Sequence, residues 1–217
     1  MNWHKITKHS LISICVIILL ACFLAYGNLF GNLLTHVDTN QKILYLTFDD
    51  GPGPYTEQVL DILHQENISA TFFLVGERAV KNPELVRRMV LEGHSVGTHS
   101  NTHPWLFFNV YDEIFQGKLN VENASGEKVT LFRAPYGYVS PFTLHAAHKL
   151  NLTIVSWSCF PKDYAATKEQ TVSRVDKCFK PGVIIVMHPW GHPQSVAALS
   201  DIITNAKTQG YTFDRLR

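Results

Sequence analysis

Seven short apolar runs, rich in β-branched and aromatic residues and separated by segments of helical spacing, constrain this chain more than any other feature. They are ILYLTF from Ile43, TFFLVG from Thr71, SVGTH from Ser95, TLF from Thr130, LTIVSW from Leu152, VIIVMH from Val183 and YTF from Tyr211. Most are apolar without alternation, the pattern of strands covered on both faces in a parallel sheet. Between them, residues 56–65 carry a stripe of Val59, Leu60, Ile62 and Leu63, and residues 83–91 open on Pro83, which suits a first helical turn. Residues 110–122, 141–151, 169–179 and 196–209 read as further helices, the last closed by Gly210. The repeated β-α order predicts an α/β fold. Seven parallel strands suit a distorted (β/α) barrel, with a doubly wound open sheet as the alternative. Both architectures place ligands at the carboxyl ends of strands.

The N-terminus follows different rules. From Leu11 to Leu34 no residue is charged, and Lys5 and Lys8 precede the run. That length is enough to cross a bilayer, and the positive flank is expected to stay cytoplasmic. The expected organisation is a cytoplasmic stretch at 1–10, a transmembrane signal-anchor helix or signal peptide at 11–34, a linker at 35–41 and one domain at 42–217. Ala25-Tyr26-Gly27 offers a cleavage site that would release a secreted form, and Leu19-Leu20-Ala21-Cys22 loosely resembles a lipoprotein signal. Either way the domain is expected outside the cytoplasm, in a periplasm or at the cell surface.

Lys plus Arg total 19 and Asp plus Glu 18, so no strong field draws the chain to nucleic acid, and no protein partner is predicted. Beyond the membrane segment, Cys159 and Cys178 are the only cysteines. Export permits a disulfide between them, but spacing alone equally allows two buried thiols.

The chemically unusual residues fall where a parallel barrel would use them. Asp49 and Asp50 directly follow ILYLTF, His99 closes SVGTH, Arg133 follows TLF, Trp157 closes LTIVSW and His188 closes VIIVMH. Taken alone, Asp-Asp-Gly-Pro is a turn-forming string. His99 and His103 stand four apart, a spacing that brings two imidazoles to one metal, although Pro104 favours a turn there over a regular helix. Two histidines joined by a carboxylate suit catalytic zinc or non-haem iron. Of the other histidines, His192 follows His188 by four residues and is a candidate for contact with substrate or metal. His64, His94, His145 and His148 read as surface or structural.

TFDDGP at 47–52, HSNTHP at 99–104, RAPYG at 133–137, Trp157 through Asp163, and VMH at 186–188 occur in that order. In these strings the sequence resembles the polysaccharide deacetylase family, the NodB-homology group of carbohydrate esterases, over residues 42–217. The resemblance implies a metal-dependent hydrolase that removes N-acetyl groups from an amino-sugar polymer such as peptidoglycan or a chitin-like glycan. It implies that Asp50, His99 and His103 hold a divalent cation, zinc first, with cobalt, nickel or iron(II) as alternatives. Asp49 becomes the general base and Arg133 its orienting partner. His188 becomes the general acid, oriented by Asp163, with the backbone N–H of Tyr136 on the oxyanion. Trp157 and Tyr164 line the sugar groove. The chain departs from the family pattern at Ser158-Cys159-Phe160-Pro161, at Tyr164 in place of the usual tryptophan, and at Val186 in place of leucine, so the grip on substrate is the least determined part. A non-catalytic envelope glycan binder, or a deformylase or deacetylase of a lipid-linked amino sugar, are the competing readings.

Overall fold

The computed structural model describes residue 13 and residues 33–217. The expected membrane span lies outside the described residues apart from Ser13, Leu33 and Leu34. Among the described residues no helix is long and apolar enough to cross a membrane.

The seven apolar runs become seven strands: β2 (Ile43–Gly51), β3 (Thr71–Leu74), β4 (Ser95–Thr98), β5 (Leu131–Phe132), β6 (Thr153–Val155), β7 (Ile184–Met187) and β8 (Thr212–Phe213). An eighth, β1 (Leu33–Leu34), precedes them. The order is β1-β6-β5-β4-β3-β2-β7, with β8 alongside β2, and every pairing is parallel. The sheet curves into a partly open barrel of the NodB type, as expected.

Side-chain alternation along each strand explains both the core and the site. Tyr45, Phe73, Leu131, Val155, Ile184 and Leu216 form one buried cluster in the barrel. Their neighbours Leu44, Leu46, Phe72, Phe132, Ile154 and Ile185 belong to a second cluster shared with the helices. Because strand side chains repeat every two residues, the parity that turns Tyr45 inward also turns Thr47 and then Asp49. The same step leads from Leu131 to Arg133, from Val155 to Trp157, and in two steps from Ile184 to His188. An apolar floor thus gives way to a polar mouth within one or two residues.

The seam between β6 and β7 is closed by residues 33–37. Leu33 and Leu34 register with Ile154 and Val155 of β6. His36 then bridges Val183, and the Val37 amide donates to the Gly182 carbonyl. Leu34 and Val37 pack on the barrel cluster. Leu33 and Leu34, read as the end of a membrane span, and His36 and Val37, read as linker, are therefore parts of the domain. Two apolar residues at the end of a longer apolar run carry no local sign that they leave it.

The helices are α1 (Thr56–Gln65), α2 (Gly76–Lys81), α3 (Pro83–Leu91), α4 (Val110–Ser125), α5 (Pro141–Lys149), α6 (Lys168–Asp176) and α7 (Pro193–Thr208). α1 and α3 match the sequence expectation, and the other four anticipated helices shift by one to three residues at their ends. Ser140 with Thr143 and Thr167 with Gln170 form capping boxes at the starts of α5 and α6, satisfying amide donors that the first turn leaves free. The unanticipated α2 is only six residues long and opens on a glycine. Gly76 is required there because a Cβ would stand 2.8 Å from the Cα of Gly117 in α4. Gly117 in turn lets α4 meet the backbone of Ser100, where a Cβ would come within 2.5 Å of the carbonyl carbon. That close approach seats α4 directly beneath the turn that follows β4.

Candidate active site

At Phe48 to Gly51 the register of β2 against β3 shifts, and Asp50 adopts a left-handed backbone with φ of 70°. Such an irregularity re-aims the strand end, so two adjacent carboxylates face one cavity when alternation would part them. Ser100 and His103 are also left-handed, with φ of 64° and 63°. This agrees with the turn that Pro104 favours and returns His103 toward His99, their rings 4.9 Å apart. Non-glycine residues in this region carry strain, and its concentration at these positions marks a site held by its surroundings.

Asp50, His99 and His103 present ligating atoms that all lie within 4.8 Å of one another. Asp50 Oδ1 is 3.1 Å from His103 Nε2 and 3.7 Å from His99 Nε2. Vertices of a tetrahedron with zinc-ligand bonds of about 2.0–2.1 Å would stand about 3.3 Å apart, so the three fit one small cation. The Nδ1 of His99 lies 2.7 Å from the Arg133 carbonyl oxygen. It donates there, which leaves Nε2 as the lone-pair side. Burial lowers the His99 pKa despite the nearby Asp49 and Asp50 carboxylates, keeping the ring neutral as a ligand must be. Burial works against ionisation of Asp50, but the hydrogen bond from His103 and the neighbouring imidazoles outweigh it and hold the carboxyl well below its usual range.

Three residues that brace this cluster left no motif in the sequence. Glu113 of α4 accepts hydrogen bonds from the amides of Asn101 and Thr102 and from the Thr102 hydroxyl, at 3.0–3.1 Å. Arg78 of α2 donates to the Asp50 carbonyl at 2.5 Å and lies 4.0 Å over the Trp190 ring. Trp190 itself packs on Gly53, where a Cβ would come within 2.0 Å of the indole.

Arg133 is no surface cation: it is 1% exposed. Its guanidinium donates to Asp49 Oδ1 and Thr47 Oγ1, both at 2.7 Å, and to the carbonyls of Val155 and Ser156, over the face of Phe73. Burial lowers the Arg133 pKa, while Asp49 acts in the opposite direction. The pair buries two opposite charges together, with further acceptors around the cation. Asp49 Oδ2 is the oxygen left toward the cavity, 3.9 Å from His188 Nε2.

The opposite wall is a second ordered set. Asp163, in the short 3₁₀ turn Asp163–Ala165, lies 3.0 Å from His188 Nδ1 and accepts from the His188 amide and the Ser195 hydroxyl, both at 2.6 Å. The serine was not legible as a site residue, because it lies on α7, away from every strand end. Burial raises the Asp163 pKa, but the bonds from His188 and Ser195 prevail and lower it. For His188 burial acts downward, and the Asp163 bond with the Asp49, Asp163 and Asp50 charges overrides it, raising the imidazole above its ordinary value.

Asp49, Asp50, His99, His103 and His188 share one cavity of about 460 Å³ with Tyr136, Gly137, Trp157, Phe160 and Tyr164. The volume falls in the range of small-ligand clefts. With the exception of His192, the site residues named from the sequence lie in its wall or, for Arg133 and Asp163, directly behind it. His192 precedes α7, with its ring 6.2 Å from Tyr164 and outside the lining. Four residues of loop and helix start turn it away from the line of His188. Cys159 and Cys178 are joined by a disulfide, which fixes the segment between Trp157 and Phe160 to the end of α6.

A sequence profile of the polysaccharide deacetylase family matches residues 36–155. The chain is 40% identical over 194 residues to a peptidoglycan-N-acetylglucosamine deacetylase of Bacillus cereus, covering 84% of this chain and 90% of that one. It is 37% identical over 191 residues to a chitooligosaccharide deacetylase of Bradyrhizobium, covering 78% and 87%. A crystal structure of a peptidoglycan N-acetylglucosamine deacetylase superposes with a TM-score of 0.81 at 32% identity, over 85% of this chain and 91% of that one. With the fold and the ordered strings in agreement, this chain belongs to the polysaccharide deacetylase family of hydrolases.

Proposed function

We propose that the protein hydrolyses the acetamido group of N-acetylglucosamine units in a cell-envelope glycan. The observation that carries this reading is the pairing, across one cavity, of an arginine-held carboxylate with an aspartate-held imidazole beside an Asp-His-His cluster.

An amide resists hydrolysis because its carbonyl is a weak electrophile and its nitrogen a poor leaving group. A divalent cation held by Asp50, His99 and His103, zinc on the chemistry of the donor set, would polarise the acetyl carbonyl and acidify water. Asp49, fixed through Oδ1 by Arg133, takes the water proton on Oδ2 as general base. The Tyr136 backbone N–H is assigned to the carbonyl oxygen as negative charge develops there. His188 carries a proton on Nε2, held in place through Nδ1 by Asp163, and gives it to the departing amine. The raised His188 pKa suits that role near neutral pH. Trp157, Phe160 and Tyr164 supply apolar faces to the sugar.

We also place the domain outside the cytoplasm, anchored by the apolar segment. The disulfide supports this, because such bonds persist in oxidising compartments. Protease added to intact cells or spheroplasts should degrade the domain, and full protection would refute the placement.

The activity is tested by measuring acetate released from N-acetylglucosamine oligomers and purified peptidoglycan, with and without added zinc. Asp49→Asn should abolish release. Equal release by the wild type and the variant would refute the mechanism. Glycan affinity without turnover in either would show a binding protein.

A further inference from the structure

A row of exposed aromatic rings separate from Trp157, Phe160 and Tyr164 leaves the catalytic cavity. It begins at Tyr136, which lines the cavity and meets the edge of His103 at 4.7 Å. Trp105 stacks on Tyr136 with centroids 4.1 Å apart and planes within 14°. Phe107 continues the row 6.0 Å beyond Trp105, its plane within 10° of the indole, and Tyr138 packs against both. Trp105 is 53% exposed and Phe107 55%.

These rings are not exposed by slack in the loop. Leu106, between them, is buried in the core shared with the helices, and the Phe107 amide donates to the Trp105 carbonyl. A buried anchor flanked by two outward aromatics holds the rings in fixed positions. Contiguous exposed apolar surface of this kind marks a binding face.

We propose that Trp105, Phe107 and Tyr138 form a stacking shelf for neighbouring pyranose units of the glycan, so that the enzyme acts within a chain in preference to a lone sugar. The inference rests on the deacetylase reading above and deepens it. Three features select a sugar chain as the occupant. The shelf is continuous with the cavity through Tyr136, so a polymer whose acetamido group reaches His188 and Asp49 must run outward over one rim or the other. The axial C–H faces of a pyranose are apolar and match the negative faces of aromatic rings. Between His103 and Lys118 the only charged residues are Asp112 and Glu113, so no basic flank reinforces contact with an anionic lipid surface.

The test compares wild type with Phe107→Ser, Trp105→Ala and the conservative Trp105→Phe, each confirmed as folded by its thermal transition. The probes are N-acetylglucosamine oligomers from the dimer to the hexamer. Phe107→Ser and Trp105→Ala should each lower the ratio of hexamer to dimer kcat/KM by about three- to tenfold, mainly through KM, and Trp105→Phe should restore most of it. Calorimetric titration of the hexamer should show the same loss of affinity, so the shelf is tested whether or not the oligomers are turned over. A ratio and a hexamer affinity unchanged in all three variants overturn the shelf. Absence of acetate release by wild type, with hexamer affinity still dependent on Trp105, overturns the deacetylase reading alone. Loss of binding to phospholipid vesicles without any loss of hexamer affinity would assign the rings to a membrane and overturn the shelf.

Discussion

His188 lies between two carboxylates that raise its pKa by different routes: Asp163 by a direct bond and Asp49 by charge across the cavity. The acid role requires the protonated ring, so kcat/KM should fall as pH rises through the raised pKa. Asp163→Asn keeps the shape but removes the charge, while burial, which lowers the pKa, remains. The alkaline limb of the pH profile should therefore move to lower pH. A limb that stays in place while activity falls would show that Asp163 acts only by packing. This ordering was partly legible in the sequence: position at a strand's end named His188, and family resemblance named Asp163. The third partner of that carboxylate, Ser195, arrives from α7 through the tertiary fold, and no local pattern points to it.

The elements that hold the site are a strand irregularity, a left-handed turn and a disulfide-tied loop. Pro104 made the turn legible, while the bulge in β2 and the helix α2 had no local signal strong enough to read. The disulfide was undecidable from sequence, since bonding depends on a Cα separation of 5.8 Å that only the packing of α6 sets. Its Cys159 also pairs by backbone with Ile185 of β7, so the loop carrying Trp157 and Phe160 is fixed from two sides. The bridge spans 19 residues, a loop whose closure in the unfolded chain amounts to about 3 kcal/mol. Replacing both cysteines with serine should lower unfolding stability by roughly that amount in urea titrations. The β7 pairing should preserve most of the site, so turnover is expected to fall less than stability. Unchanged stability would mean that the reduced chain is already restrained by other contacts.

At the scale of the whole molecule, inward parity along parallel strands ties the apolar barrel interior to the catalytic mouth, and this much is written in the order of the seven runs. Closure of the barrel is not, because the residues that fill the seam between β6 and β7 sit at the end of a longer apolar stretch that reads as one unit. Leu33, Leu34, His36 and Val37 connect the two strands, so a soluble form begun at Lys42, as motif boundaries would place it, leaves the outer edge of β6 unpaired and β7 with only its pairing to Cys159 on that side. It also uncovers the apolar surface that Leu34 and Val37 protect in the barrel interior. Burial of two or three aliphatic side chains, each partly covered, corresponds to about 2–4 kcal/mol. A form begun at Gly31 should therefore melt at a higher temperature than one begun at Lys42 and aggregate less on heating. Because the seam adjoins the strand that leads to Trp157, the shorter form should also lose affinity for glycan before it loses secondary structure. Equal melting temperatures and equal glycan affinities in the two forms would show that the seam segment is an appendage and that the barrel is complete without it.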